Sequence, residues 1–402
     1  SVLLVSGSCG AEEVTPASVS PTFEPAIRAD QMRPHVEFLA SPKLEGRANS
    51  SRKKAREYII EQLKAAGLKP LFEATASSNT ASDDKTKASA STSYLQPVPG
   101  TPDETGATQI IGHNVGGWLP GSDPDLADEY LIISAHYDHL GVRDGQIYAG
   151  ADDNASGVAM VLEVARAIAK SANKPRRSIA FVAFDLEEHL LWGSRWFAAH
   201  PPRPIEQLKL FITADMIGRS LGDLPLPAVF VLGSEHAEEL KTALDRVGTT
   251  PKLEVCRLGT DLIGTRSDYG PFRDRQIPFL FFSTGEHPDY HSPRDTPDKI
   301  DYDKAARVAS LVHNLTRHIA DTQQPPVWTE AKVGDLDEPK ALHRITTLLL
   351  EAEKQRPMTS TQKFMVTNVR NRTGQILKTN KMSTDDRTWL IRMSQLLLLS
   401  VF

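Results

Sequence analysis

Cysteine is almost missing from this sequence. Its 402 residues contain two, Cys9 and Cys256, and they lie far apart. That excludes a disulfide framework and a structural zinc site built from paired cysteines. Cys256 falls in the alternating run KLEVCRL, which predicts a buried core thiol. A surplus of positive charge is missing too. The formal net charge is -5, so no basic face is expected that could neutralise phosphates, and nucleic acid is not an expected partner. After the first residues, no apolar run approaches the roughly 20 needed to cross a bilayer. The terminal LLLLSVF is too short and reads as a helix end. No internal repeat is visible.

What is present at the start is a short apolar run. SVLLVSGS ends in small residues just before Cys9 and has the form of a secretory signal-peptide tail. The expected location is therefore outside the cytoplasm: periplasmic, extracellular, or held at a bacterial membrane by a lipid anchor on Cys9. Ser6 stands where a lipoprotein leader prefers Leu, so an ordinary cleaved leader is the other outcome. Residues 1–25 read as leader and linker.

RADQMRPHVEFLA (28–40) and SRKKAREYIIEQLKAAG (51–67) carry apolar residues at helical spacing, the second stopping at Gly67. Residues 73–93 are rich in Ala, Ser, Thr and Asp with almost nothing to bury, which predicts a disordered surface insertion. From 129 onward strands and helices alternate. EYLIISAHYD (129–138), RSIAFVAFD (177–185), LKLFITAD (208–215), PAVFVLG (227–233) and PFLFFST (278–284) read as strands. SGVAMVLEVARAIAKS (156–171), WGSRWFAAH (192–200), AEELKTALDRVG (237–248) and DYDKAARVASLVHNLTRHIADT (301–322) read as helices. The alternation predicts an α/β fold over residues 26–325, a mostly parallel mixed sheet with helices on both faces. After QQPPVW (323–328), ALHRITTLLLEAEKQ and TDDRTWLIRMSQLLLL predict a C-terminal helical extension over 326–402, its helices joined by polar segments.

In open α/β sheets, ligands bind beyond the carboxyl ends of the strands. The acidic and imidazole residues there are His136 and Asp138, Glu187 and Glu188, Asp215, and His291 a few residues past its strand. Asp152 and Asp153 lie in a Gly-flanked loop, GADDNASG, just before a helix. Carboxylates collected at one end of a sheet repel each other unless a cation joins them, and a metal cluster is the simplest candidate. Strand alternation puts His136 and Asp138 on one face, where the carboxylate could accept the second N–H of a ligating His. His139 falls on the other face and is left out. Adjacent Glu187 and Glu188 point different ways, so one can ligate while the other faces a water. Each piece alone has a bland reading: a satisfied structural His for the HxD, a solvated surface for the Glu pair. Two His and three carboxylates around a further free carboxylate suit zinc.

Taken together, AHYDHLG (135–141), GADDNASG (150–157), LEEHLLWGS (186–194), TADMIGR (213–219) and YHSPRDT (290–296) resemble the co-catalytic two-zinc aminopeptidases. That group includes aminopeptidase Y and the bacterial leucyl aminopeptidases. LEGR (44–47) and AAGLKP (65–70) upstream are also typical of it. The resemblance covers roughly residues 28–322 and not the tail from 326.

The resemblance implies that His136 and Asp215 bind one zinc, that Glu188 and His291 bind the other, and that Asp152 bridges both. It makes Glu187 the general base and acid, has Asp138 orient His136, and makes the Asp152–Asp153 peptide bond cis. The implied activity is hydrolysis of N-terminal residues from peptides with a free amino terminus, by a water activated between two zinc ions. Some members have a Tyr three residues before the Ser-Asp pair to stabilise the oxyanion. In GTRSDYG (264–270) Gly264 stands there, leaving Arg266 or Tyr269 as substitutes, or as packing and surface groups. Three other readings stay open. One is a carboxypeptidase or dipeptidase relative, for which Arg266 could hold a substrate carboxylate. Another is a one-zinc glutaminyl cyclase on the same fold. The third is a binding module without activity, against which every ligand position is filled.

Overall fold

The computed structural model describes residues 26–74, 92–250, 252–332, 334–355 and 357–401. The segment read as a leader, Cys9 and all but the ends of the segment read as an insertion (73–93) lie outside them. The helices are α1 (Ala29–Leu39), α2 (Arg52–Ala65), α3 (Gly157–Lys170), α4 (Trp192–Ala199), α5 (Glu238–Val247), α6 (Gly270–Arg273), α7 (Tyr302–Asp321), α8 (Asp337–Glu351), α9 (Ser360–Thr379) and α10 (Thr384–Val401). Strands β1 (Lys69–Pro70), β2 (Phe72–Glu73), β3 (Thr92–Ser93), β4 (Leu95–Pro99), β7 (Gly141–Arg143) and β8 (Gln146–Tyr148) accompany seven others. Those are β5 (Ile110–Leu119), β6 (Tyr130–His136), β9 (Ser178–Phe184), β10 (Leu208–Ala214), β11 (Ala228–Leu232), β12 (Glu254–Leu258) and β13 (Phe279–Ser283).

Nine strands form one sheet in the order β1-β5-β9-β6-β10-β13-β11-β12, with β4 paired to β5. Its centre, β9, β6, β10 and β13, is parallel. β5 runs against β9, and β11 against β13, so the sheet is mixed. The central strands are near-continuous apolar runs because both faces are covered. Alternation sorts their side chains into two cores. Leu131, Ile133 and Ala135 of β6 join Phe181, Ile212 and the inner faces of α1, α2, α3, α5 and α7. Tyr130 and Ile132 join Val182, Phe197 of α4, Phe272 of α6 and Ala341, Ile345 and Leu348 of α8. On either side of residues 75–91, β2 and β3 pair antiparallel, Phe72 with Ser93 and Glu73 with Thr92.

In the tail, the segment read from sequence as a polar joint contains α9. Its buried positions Val366, Val369, Thr373 and Ile376 keep helical spacing, but the stripe is thin and includes a threonine, so its periodicity is faint. Thr359 caps it by accepting from the Gln362 N–H at 3.2 Å. Val369 and Ile376 form a small third core with Leu342, Met382 and Leu390. No helix among the described residues is long and apolar enough to cross a membrane.

Cys256, in β12, is 3% exposed, and burial pushes its thiol up to about 12. A thiol reagent at neutral pH should therefore leave the Cys256 peptide unmodified in the native protein and label it after denaturation. Peptide mapping by mass spectrometry checks this; rapid native labelling would contradict it.

Candidate metal centre

Four parallel neighbours end side by side, and each is followed by residues that carry chemistry. β6 ends on His136, β9 leads to Glu187 and Glu188, β10 to Asp215, and β13 to His291. The turn before α3 brings in Asp152 and Asp153. Most of this is sealed: His136 is 1% exposed and Asp153 3%. The His291 side chain, at 36%, faces the solvent side.

Asp153 sits between two groups. Its Oδ1 lies 3.2 Å from His136 Nε2, which is 3.5 Å from Asp215 Oδ1. Its Oδ2 lies 3.1 Å from His291 Nε2, which is 3.3 Å from Glu188 Oε2. One carboxylate thus faces a His and a further carboxylate on each side. Ligand atoms of His136, Glu187 and Asp215 lie within 4.8 Å of one another, as do those of His139, Asp153 and Glu188. His136 Nε2, Asp153 Oδ2 and Asp215 Oδ1 are buried with no hydrogen-bond partner among the described residues. An unpaired buried polar group costs about 1–3 kcal/mol, more if charged. Imidazole nitrogens and carboxylate oxygens in this arrangement fit a pair of divalent cations, zinc among them.

The electrostatics of the bare residues point the same way. Burial pushes the Glu187 carboxyl well above its usual range; His136 opposes this and Asp215 adds to it. Burial likewise pushes Asp268 up to about 7, with His136 and Ser194 opposing it. Burial alone would lower the two imidazoles, yet facing carboxylates prevail. Glu187 and Asp215 raise His136 well above its usual range, and Asp153 and Glu188 raise His291 to about 10. Against burial and Asp153, which raise it, His139 and His291 bring Glu188 down to about 2. A cation placed between the carboxylates would meet the same need.

Several expectations from sequence change here. Asp152 is not between the two groups: its Oδ1 accepts from the Gly218 N–H at 2.6 Å and its Oδ2 lies 3.5 Å from His287 Nε2. Asp153 takes that place instead. The cause is the loop backbone. Asp295 accepts the N–H of Asp152 at 3.0 Å and of Asp153 at 3.0 Å, and Gly150 is left-handed at φ 57. The cis peptide bond is Asp153–Asn154, not Asp152–Asp153.

Asp138 acts differently as well. Its backbone carbonyl lies 3.1 Å from His136 Nδ1, while its carboxylate is 3.7 Å away. The carboxylate has other donors, the N–H groups of Glu187 at 3.1 Å and Glu188 at 3.4 Å. His139, set aside on strand alternation, comes into the site, with Nδ1 2.9 Å from Glu188 Oε1. Alternation fails there because β6 stops at His136. Tyr269 is buried, donates to Gly264 O and stacks on Phe279, so it packs the core. Arg266 pairs with Glu286 at 3.0 Å.

The sequence profile described as peptidase family M28 matches residues 114–316, just over half of the chain, and that stretch holds every residue of this centre. The chain belongs to peptidase family M28. This M28 chain is 32% identical over 178 residues to leupeptin-inactivating enzyme 1 of Streptomyces exfoliatus, covering 43% of the chain and 35% of that enzyme. It is 26% identical over 229 residues to aminopeptidase YwaD of Bacillus subtilis, covering 54% and 46%. The chain thus spans between about a third and a half of the length of these curated relatives. Among solved structures, the LapA aminopeptidase of Legionella pneumophila superposes with TM-score 0.54 at 17% identity, over 74% of this chain and 73% of that one. The glutaminyl cyclase of Porphyromonas gingivalis superposes with TM-score 0.53 at 17% identity, over 73% and 98%. At these identities the M28 member shares the fold of both.

Proposed function

We propose that this protein is a zinc-dependent aminopeptidase that removes N-terminal residues from peptides. One observation carries the reading: the two oxygens of Asp153 face different histidines, His136 and His291. In this reading His136, Asp153 and Asp215 would hold one zinc, and Asp153, Glu188 and His291 would hold the other. When bound, zinc lowers the pKa of a coordinated water toward about 7 and polarises a carbonyl. The chain's own groups do the rest. Glu187 is the remaining carboxylate beside the first set, its Oε2 4.0 Å from His136 Nε2. Its raised proton affinity suits it to take a proton from the attacking water and return it to the leaving amine. Asp138 holds the backbone of Glu187 and Glu188, and His139 holds the Glu188 carboxylate. Asp295 holds the backbone of the bridging residue.

Peptides with a free amino terminus are the proposed substrates, supported by the likeness to aminopeptidase YwaD. A glutaminyl cyclase needs one metal only, so the second ligand set favours the peptidase. Arg266 is engaged with Glu286, which leaves less support for a carboxypeptidase or dipeptidase. The apolar run before Cys9 supports export, with or without a lipid anchor.

A panel of aminoacyl chromogenic substrates, each with its N-acetylated partner, tests the proposal. The zinc-loaded protein should cleave the free-amine substrates and leave the acetylated ones. Chelation should abolish turnover and lower Tm, because a ligand at 100 times its Kd stabilises the folded state by about 2.7 kcal/mol. Equal cleavage of acetylated substrates, or cyclisation of N-terminal glutamine in place of cleavage, would sink the reading.

A further inference from the structure

Arg47 closes the LEGR run and is completely buried. A buried guanidinium needs an acceptor for each of its five N–H groups. All five meet backbone carbonyls. Nε donates to Tyr137 O at 2.8 Å. Nη1 donates to Leu39 O at 2.8 Å and Ala149 O at 2.6 Å. Nη2 donates to Gly150 O at 2.7 Å and Asp153 O at 3.4 Å. The carbonyl of Arg47 itself accepts from the His139 N–H at 3.3 Å.

Four of these carbonyls belong to the segments that carry the centre, and the fifth, Leu39 O, closes α1. Tyr137 separates His136 from Asp138, and Ala149, Gly150 and Asp153 frame the loop that presents the Asp153 carboxylate. One side chain therefore ties the end of β6 to the loop before α3, without touching any proposed ligand atom. The chain reaches this position along an unusual path. Glu45, Gly46 and Arg47 are all left-handed, with φ 46, 68 and 51. Such backbone is unfavourable for Glu and Arg, and it persists only where the surroundings over-determine it. At Gly46 a Cβ would lie 2.4 Å from Tyr148 O and 2.7 Å from Gly141 O. The segment also lies well before residues 114–316, the stretch that matches the family profile.

We infer that Arg47 is a positioning residue for the metal centre, setting the spacing between the strand end that bears His136 and the loop that bears Asp153. The inference rests on the two-zinc reading of that centre. Lysine cannot take over the role, because three N–H donors on one atom cannot reach carbonyls spread around a planar fork. It does keep the positive charge beside Asp153, Asp295, Asp138 and Glu188. Arg47→Lys therefore separates geometry from charge.

The experiment compares wild-type protein, Arg47→Lys and Arg47→Met. Each is titrated with zinc against a competing chelator, assayed on aminoacyl substrates, and checked for folding by circular dichroism. Loss of an outer-shell partner costs about 10–100-fold in metal affinity or activity. Arg47→Lys should fold, bind zinc weaker by that factor, and lose a similar factor in kcat with KM nearly unchanged. Arg47→Met should bind zinc more weakly still. Wild-type zinc affinity and kcat in Arg47→Lys, with only a lower Tm, would overturn the inference and make Arg47 a structural support. Failure of both variants to fold, even with excess zinc, would overturn it equally. The zinc titration does not depend on the substrate. If wild-type protein binds two zinc ions yet cleaves no aminoacyl substrate, the aminopeptidase reading fails and the Arg47 comparison still stands.

Discussion

Glu187→Gln should lower turnover by about 10²–10⁴-fold, the usual contribution of a general base, while two zinc ions per chain remain bound. The change keeps the size of the side chain and its hydrogen bonding but removes the proton acceptor. Glu188→Gln should fail in another way. Glu188 lies 3.3 Å from His291 Nε2 through Oε2 and 2.9 Å from His139 Nδ1 through Oε1. A neutral amide there gives up the charge that the second zinc needs, so occupancy should fall, and added zinc should restore part of the rate. The competing assignment is a real one, because ligand atoms of Glu187, His136 and Asp215 lie within 4.8 Å of one another. Zinc stoichiometry and turnover measured on both variants side by side decide the matter. If Glu187→Gln loses metal while Glu188→Gln keeps it, the two roles are reversed.

The second large effect separates two neighbours. Asp153→Asn should remove the shared carboxylate that faces both His136 and His291. Both zinc ions should be lost from the variant at micromolar metal, and turnover with them. Asp152→Asn should do much less. Its carboxylate accepts from the Gly218 N–H and lies beside His287, outside both ligand sets. Its loss should stay within the roughly 10–100-fold typical of outer-shell partners. Isothermal titration with zinc on the two variants checks this. Zinc binding retained by Asp153→Asn and lost by Asp152→Asn would return the bridging role to Asp152.

That one-residue difference shows where sequence reading stops. The placement of His136, Glu188, Asp215 and His291 past strand ends was legible because apolar runs mark where strands end, and ligands bind beyond those ends in a parallel sheet. The choice between Asp152 and Asp153 was not, because it depends on Asp295, which accepts their backbone N–H groups from more than 140 positions away. His139 was misplaced by an alternation rule that holds only within a strand, and β6 ends three residues earlier. Arg47 gave no signal of its role, since a buried arginine satisfied by main-chain carbonyls looks, as a string of letters, like any surface arginine. The alternating sheet and helices were legible from periodicity. α9 was not, because a stripe of Val366, Val369, Thr373 and Ile376 is too narrow to stand out from a polar run.

The most direct test of the account is anomalous diffraction at the zinc edge from crystals of the zinc-loaded protein. Two peaks should lie on either side of the Asp153 carboxylate, one among His136, Asp153 and Asp215, the other among Asp153, Glu188 and His291. A single peak, or a peak held by Asp152 and His287, would contradict it.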